Sequence, residues 1–290
     1  MSGWRTVVID SDCSVKLRES NLTVTADTEK SVPIEQIRMV LINSYNVQIS
    51  VKLINELIRN QVKIVFCNEK HNPFCEVTGY ENNTFSAGRL ALQTEWKAET
   101  KDRVWQKIVY RKIETQINML KKNKLRSFEN MEVYSKSILP SDSTNREAQA
   151  ARVYFNLLFG YDFNRRTESL PNAALNYGYA ILLSSVNRLV AIHGYHTAIG
   201  IKHSNCTNPY NLSCDLMEPF RPYVDDLVYN NADRPLDRDY KKELIALNYD
   251  LIVYGGRIME LQTALEEYVS DVFAELCGDA DRIKELDFVA

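Results

Sequence analysis

Apolar and polar positions alternate in steps of two from Trp4 to about Tyr80. This alternation predicts a β-hairpin that turns at Ser20-Asn21 and pairs Val15 and Leu17 with Leu22 and Val24. The runs IRMVLINS and VKIVFCN are rich in β-branched residues and predict further strands. Between them, SVKLINELIRNQ has apolar residues at helical spacing and predicts one helix. A small β-rich domain is therefore predicted over residues 1–80.

After Gly88 the apolar spacing becomes helical, and a turn-rich segment before it predicts a domain boundary between Tyr80 and Ala87. Lys101 to Arg126 carries an apolar stripe of Trp105, Val109, Ile113, Ile117 and Leu120. A second helix is predicted between a Pro171 start and a Gly194 stop, and two more flank Gly255-Gly256. The predicted fold class is α+β, with a larger all-α domain over residues 81–290.

Composition narrows the class of protein. The chain has 290 residues, of which 45% are hydrophobic and 25% charged, as in an ordinary globular protein. It has neither a leader-like N-terminus nor about 18 consecutive apolar residues, so we expect a cytoplasmic protein without a membrane partner. Six cysteines without paired spacing predict reduced thiols.

Charge is unevenly distributed along the chain. The net charge is -3, yet Lys101 to Arg126 holds nine Lys or Arg against two acids. Lys107 and Arg111 lie on a face away from the apolar stripe. This face is either a phosphate-contacting surface or a solvated helix face, and charge alone does not separate the two readings.

Two glutamates at predicted helix starts are candidates for chemistry. Glu147 begins the apolar stripe of its helix, where a carboxylate needs a positive partner, but Thr144 to Glu147 also matches a capping box. Asp215 to Glu218 matches one too, and Pro219 suits a first helical turn. Either glutamate is a cap or a ligand.

His203 lies in the short polar turn GIKH between these helices. Two carboxylates and an imidazole on separate turns suit an open site for Mg²⁺ or Mn²⁺. A zinc site of His203, Cys206 and Cys214 is disfavoured, because no second closely spaced pair completes four ligands.

Three segments in order, STNREAQAARVYFNLLFG, GIKH and DLMEPFRP, resemble the metal-site segments of the CRISPR adaptation integrase, the universal endonuclease and integrase subunit of spacer acquisition. The opening GWRTVVI and the compact length resemble its type II-A branch. The resemblance implies that Glu147, His203 and Glu218 are metal ligands and catalytic residues, with Asp215 beside them. Many members have aspartate at the third ligand position and a second acid after it, where this chain has Glu218 and Pro219.

The resemblance also implies the reaction and the assembly. A DNA 3′-hydroxyl would attack a phosphodiester of the repeat array without a covalent protein intermediate. Arg146, Lys202 and Arg221 flank the ligands and are candidate phosphate contacts, with plain surface charge as the alternative. Implied partners are double-stranded protospacer and array DNA, a homodimer formed through the β-rich domain, a small second adaptation protein in a heterohexamer, and the type II effector nuclease with an accessory protein. A prokaryotic cytoplasm follows from the same family.

Two other classes of protein stay open. In a non-catalytic DNA-binding or assembly subunit, Glu147 and Glu218 would be only caps. In a metal hydrolase acting on a small molecule, the basic segment would not be needed.

Overall fold

The structure is a computed structural model that describes residues 4–26, 28–69, 73–77, 79, 86–279 and 281–289. The chain divides into two compact units, Met1–Ser86 and Ala87–Ala290. The roles expected for the two domains, dimerisation and catalysis, stay predictions.

In its described part the first unit forms two four-stranded sheets and one helix. Its elements are β1 (Arg5–Ile9), β2 (Cys13–Arg18), β3 (Asn21–Thr25), β4 (Glu29–Pro33), β5 (Ile37–Ile42), β6 (Val47–Ile49), α1 (Val51–Arg59), β7 (Lys63–Cys67) and β8 (Pro73–Val77). The sheet orders are β1-β5-β7-β8 and β4-β3-β2-β6. Buried aliphatic side chains from both sheets and α1 form one core. The apolar surface that this core removes from water stabilises the first unit in proportion to its area.

The predicted hairpin is confirmed in register but not in its turn. Val15 pairs with Val24 and Leu17 with Leu22. The turn residues are Glu19 and Ser20, both with positive φ (46° and 63°), the backbone that a two-residue hairpin turn requires. The predicted Ser20-Asn21 turn was wrong by one residue, since Asn21 already pairs with Arg18.

The second unit is mainly helical. Its elements are α2 (Ser86–Thr94), α3 (Ala98–Lys122), α4 (Glu129–Lys136), α5 (Arg146–Phe159), α6 (Leu170–Ile192), α7 (Asn211–Met217), α8 (Arg221–Tyr229), α9 (Arg238–Ala246), β9 (Leu251–Tyr254), β10 (Arg257–Glu260), α10 (Leu261–Leu276) and β11 (Leu286–Phe288). A β-rich N-terminal region followed by a helical region confirms the predicted fold class.

The longest described helix, α3, contacts several of the elements that carry the site. The predicted apolar stripe is buried, from Trp105 to Leu120, and α3 packs against α4, α5, α7 and α8. It therefore forms the centre of the second unit, and its inward polar residues face the starts of neighbouring helices.

The prediction of an all-α second domain was wrong. Gly255 and Gly256 join two antiparallel strands, β9 and β10, rather than two helices. Both glycines have positive φ (57° and 74°), which suits a tight hairpin turn. β11 pairs with the other edge of β9 and completes a three-stranded sheet. Ile252 and Tyr254 are buried while Leu251 is exposed, so the strand has a period of two.

Within the described residues, no helix is long and apolar enough to cross a membrane.

Candidate functional site

The turn that carries His203 is folded around one buried carboxylate. Asp215 of α7 is fully buried, and its Oδ2 accepts hydrogen bonds from the backbone amides of Ile201 (2.7 Å) and Lys202 (2.9 Å). The amide of His203 reaches Oδ1 at 3.2 Å. Nδ1 of the same histidine hydrogen bonds Oδ1 as well. A carboxylate on one ring nitrogen fixes the ring orientation and leaves Nε2 to bind a ligand.

Asp215 also controls the charge of His203. Its hydrogen bond raises the pKa of the imidazole, against the lowering effect of partial burial, and the negative charges of Glu218 and Glu147 act in the same upward direction. The ring also contacts the edge of Trp105 in α3, with centroids 5.8 Å apart. His203 is thus held in the electrostatic field of both predicted glutamate ligands.

Gly200 makes this turn possible. A Cβ atom at this position would lie 2.3 Å from the carbonyl oxygen of His203 and 2.8 Å from Oδ2 of Asp215. Real Cβ atoms do not approach backbone so closely, so the glycine of GIKH is required for close packing of the chain on itself.

The two glutamates meet at a lysine that no sequence motif pointed to. Nζ of Lys112, on α3, lies 2.6 Å from Oε1 of Glu147 and 2.5 Å from Oε2 of Glu218. Burial acts to lower the pKa of Lys112, but the attraction of Glu218 and Glu147 outweighs it and the pKa is raised. The ammonium therefore stays charged between two carboxylates.

Glu218 has a second cationic partner. Nε of Arg221 lies 3.0 Å from its Oε1. Burial acts to raise the pKa of Glu218, yet Arg221 and Lys112 together lower it. A carboxylate that is only 5% exposed thus stays ionised, which would be costly without paired charge.

Neither glutamate is a cap. At the start of α5 the backbone amides of Arg146 and Glu147 donate instead to Asp142, at 2.8 and 3.0 Å. Glu218 begins a single 3₁₀ turn that leads from α7 into α8, and its side chain makes the ion pairs already described. Of the two alternatives left open for these segments, the structure does not show the capping box, because nearby charges hold the two carboxylates.

Arg221 continues the polar site into a buried tyrosine pair. Its guanidinium lies 4.5 Å from the ring centre of Tyr179. The hydroxyls of Tyr154 (3.0 Å) and Tyr179 both donate to Asp225. Burial raises the pKa of Asp225 to about 6. This network lies behind Glu218 and was not predicted, since its members are spread over three helices.

The donor set fits a hard divalent ion. Two carboxylates and an imidazole with one engaged nitrogen are ligands that Mg²⁺ and Mn²⁺ accept. Oε2 of Glu218 is buried without a well-aligned hydrogen-bond donor. As the side chains stand, no group of three or more His, Cys, Asp or Glu among the described residues is close enough to hold a metal. In this arrangement the ammonium of Lys112 lies between the two glutamates.

The five predicted phosphate contacts have protein partners of their own. Lys202 donates to Ser141 (2.8 Å to its carbonyl), and Arg146 donates to Gln149 (2.8 Å). Lys107 pairs with Glu275 (2.9 Å) and Asp281 (3.0 Å), and Arg221 pairs with Glu218. The guanidinium of Arg111 lies 5.3 Å from the Tyr110 ring centre.

Lys107 and Arg111 also line a cavity of about 570 Å³ in the second unit. Whether any of the five meets DNA stays a prediction.

Lys112 is the main residue that sequence reasoning missed. It was counted with the charge of the basic segment. A signal was present: Lys112 is seven residues after Trp105 and three after Val109, which puts it on the buried stripe of α3. A lysine on an apolar stripe needs an acidic partner, and Glu147 was an acid that needed a basic one.

Comparison with known proteins identifies the family. The family model described as CRISPR associated protein Cas1 matches residues 6–245. A CRISPR-associated endonuclease Cas1 of Neisseria meningitidis serogroup C is 32% identical over 230 residues, which are 77% of this chain and 74% of that protein. The chain belongs to the CRISPR-associated Cas1 family.

Solved structures show the same fold. A CAS1 protein from Thermotoga maritima superposes with a TM-score of 0.74 at 17% identity, covering 99% of both chains. A casposase bound to integration product gives 0.75 at 16% identity, covering 96% of this chain and 92% of that one. The same fold occurs in a Cas6-RT-Cas1–Cas2 complex, with a TM-score of 0.73 at 17% identity over 97% of this chain and 36% of that one.

Proposed function

We propose that this protein is a metal-dependent DNA integrase and endonuclease of CRISPR adaptation, which inserts protospacer DNA into the repeat array. One observation carries the proposal beyond family membership. Glu147, His203 and Glu218 come from three separate elements, and the charges of both glutamates act on the His203 ring. Two carboxylates that meet at one ammonium, with an imidazole of fixed orientation in their field, supply the ligand types that metal-dependent phosphoryl transfer needs.

In the proposed reaction a DNA 3′-hydroxyl oxygen attacks a phosphorus of the array. A new P–O bond forms as the P–O bond to the leaving 3′-oxygen breaks. The attacking hydroxyl gives up its proton, and the leaving oxygen takes one up. One phosphodiester replaces another, so no protein nucleophile or external energy source is required, and positioning and charge neutralisation supply the rate.

Each side chain has a distinct part in the proposal. Glu147, Glu218 and Nε2 of His203 would hold Mg²⁺ or Mn²⁺, which when bound polarises the scissile phosphate and stabilises the leaving oxygen. Asp215 keeps the imidazole turned toward the site, and Arg221 keeps Glu218 ionised. The type II-A branch is part of the proposal on the strength of the opening residues and the compact length.

The proposed partners follow the family. We infer double-stranded protospacer and array DNA as substrates, a homodimer formed through the β-rich first unit, and a heterohexamer with Cas2 as the small second adaptation protein. The Cas2 partner is supported by a structural neighbour that was solved within a Cas6-RT-Cas1–Cas2 complex. A type II effector nuclease and an accessory protein would supply protospacers, and the assembly would work in a prokaryotic cytoplasm.

Strand transfer tests the proposal directly. The protein and Cas2 are incubated with a 3′-hydroxyl-ended duplex and a repeat-bearing plasmid in Mn²⁺. The site variants are Glu147→Gln, His203→Asn and Glu218→Gln. Glu243→Gln is the matched control, because Glu243 is an exposed carboxylate paired with Arg234. Products from wild type and Glu243→Gln alone, with all proteins folded, support the metal-dependent integrase. Equal products from a site variant contradict the assigned ligands.

A further inference from the structure

Lys112 is placed where a divalent ion would have to bind. Its side chain is 11% exposed, and its ammonium is within hydrogen-bonding distance of Glu147 and Glu218, two of the three proposed metal ligands. The carboxylates come from the start of α5 and from the turn before α8, so the lysine joins elements that are far apart in the chain. It is the group that holds the two acids together in this structure.

The local charge is balanced as it stands. Glu147 and Glu218 contribute two negative charges, and Lys112 and Arg221 contribute two positive ones. A dication inserted beside a buried ammonium would meet strong repulsion in this poorly solvated site. The divalent ion and the Lys112 ammonium therefore cannot bind the two carboxylates at the same time, although either one alone can neutralise them.

A lysine side chain can move away from the two carboxylates when another cation binds them. Its ammonium is a compact charge on a flexible four-carbon stem and can leave without moving α3. An arginine, as Arg221, is planar and forked and holds a carboxylate in a fixed direction. The site thus contains one fixed cation and one cation that is able to move.

On these grounds, and resting on the proposed function, we propose that Lys112 is a built-in competitor for the metal. Its ammonium holds Glu147 and Glu218 in the metal-free protein and is displaced when the ion binds. Lys112 therefore sets the metal concentration at which the site fills. It is a positioning residue, because it acts through the two glutamates.

The test is a Mn²⁺ titration of the whole chain. Binding is measured by calorimetry and, independently, by the EPR signal of free Mn²⁺. Lys112→Met removes the competing charge and keeps the length of the side chain, so we expect roughly tenfold tighter binding, within the range typical of coupling between ligands. Lys122→Met is the matched control, since Lys122 lies on the same helix and pairs with Asp226 (2.6 Å). Its affinity should stay within about twofold of wild type, because its pair is outside the coupled site.

The outcomes separate this inference from the proposed function. If Glu218→Gln abolishes binding but Lys112→Met binds Mn²⁺ no tighter than wild type, the competitor role is wrong and the metal site stands. If wild type binds no Mn²⁺ in the millimolar range and Glu218→Gln behaves identically, both the metal site and the competitor role fail.

A measurement on unaltered protein keeps the inference testable if Lys112→Met does not fold. Amine acylation is followed by mass spectrometry with and without Mg²⁺. Displacement should increase labelling of Lys112 severalfold on metal addition while labelling of Lys122 stays constant. Equal labelling of Lys112 in both conditions would overturn the competitor role.

Discussion

The carboxylate of Asp215 binds His203 twice, through the backbone amide and through ring nitrogen Nδ1. One buried acid therefore fixes both the path of the chain and the direction of the imidazole. Asp215 thus ties the turn from Gly200 to His203 to the buried helix α7.

Replacing Asp215 with asparagine should weaken metal binding more than it harms the fold. Asparagine keeps one acceptor oxygen but cannot hold the Nδ1 proton with a negative charge, so Mn²⁺ affinity should fall about 10–100-fold. Asp237→Asn is the control, because Asp237 caps α9 through the amide of Tyr240 (2.7 Å). The measurement is Mn²⁺ calorimetry together with thermal unfolding. A folded Asp215→Asn protein with wild-type affinity would exclude the positioning role.

Gly200→Ala should disrupt the same turn from the backbone side. The added methyl would overlap the carbonyl oxygen of His203, so the free energy of unfolding should fall by about 1–3 kcal/mol. Gly88→Ala is the control: its Cβ meets nothing within 4 Å in α2, and the change should stabilise by up to about 1 kcal/mol. Urea unfolding of both variants provides the comparison, and similar stabilities would contradict the packing argument.

Lys107→Met should destabilise the second unit. The carboxylate of its partner, Glu275, is fully buried. It also accepts hydrogen bonds from the backbone amides of Arg282 (2.7 Å) and Ile283 (2.8 Å). Removing its cation leaves buried charge, and we expect a loss of about 1–3 kcal/mol, reduced by the partial exposure of Lys107. Arg111→Met, on the same helix, should change stability by less than about 0.5 kcal/mol.

Urea unfolding and DNA binding at two salt concentrations distinguish the two roles of Lys107. Reduced DNA affinity at unchanged stability in Lys107→Met would instead assign this ammonium to a phosphate.

Asp225 should make stability depend on pH. Burial raises its folded pKa to about 6 from 3.8, so its contribution is fully present below pH 3.8 and is lost as the pH rises through 6. The difference in unfolding free energy between wild type and Asp225→Asn should therefore fall by about 2 kcal/mol between pH 4 and pH 7.

Urea unfolding at several pH values measures this difference. Asp233→Asn, a change at an exposed aspartate, should show no such trend. A wild-type to Asp225→Asn difference that is constant with pH would mean that the carboxylate is ionised throughout.

Periodicity predicted the elements whose two faces differ in polarity. The α3 stripe and the β2–β3 pairing followed from it because burial on one face selects the spacing. The β9–β10 hairpin was missed because a short apolar run such as LIVY satisfies both helical and strand spacing. The stronger signal there was the Gly255-Gly256 pair between two such runs, which is typical of a hairpin turn.

Only part of the candidate site could be predicted from the sequence. Glu147, His203 and Glu218 became candidates through their positions at helix starts and in a polar turn, the resemblance to a known family favoured a ligand role over a cap, and that metal role stays a prediction. Lys112 belongs to a run of basic residues and was not distinguished from them, although its position on the buried apolar stripe of α3 indicated that it needs an acidic partner. Asp142 could not be found from the sequence, since it reaches the α5 amides through a left-handed backbone (φ 46°) that depends on tertiary contacts.

Because of strand β11, the two units can complete their folds at different stages of synthesis. It pairs with β9 more than thirty residues earlier, and it is anchored by a hydrogen bond from Tyr223 to the carbonyl of Asp287 (3.0 Å). The first unit uses only residues up to Ser86 and can fold as soon as they leave the ribosome. The second unit must wait until Phe288 has been translated before its sheet is complete. Until β11 pairs with it, that edge of β9 stays open, so the sheet of the second unit is completed only by its last strand.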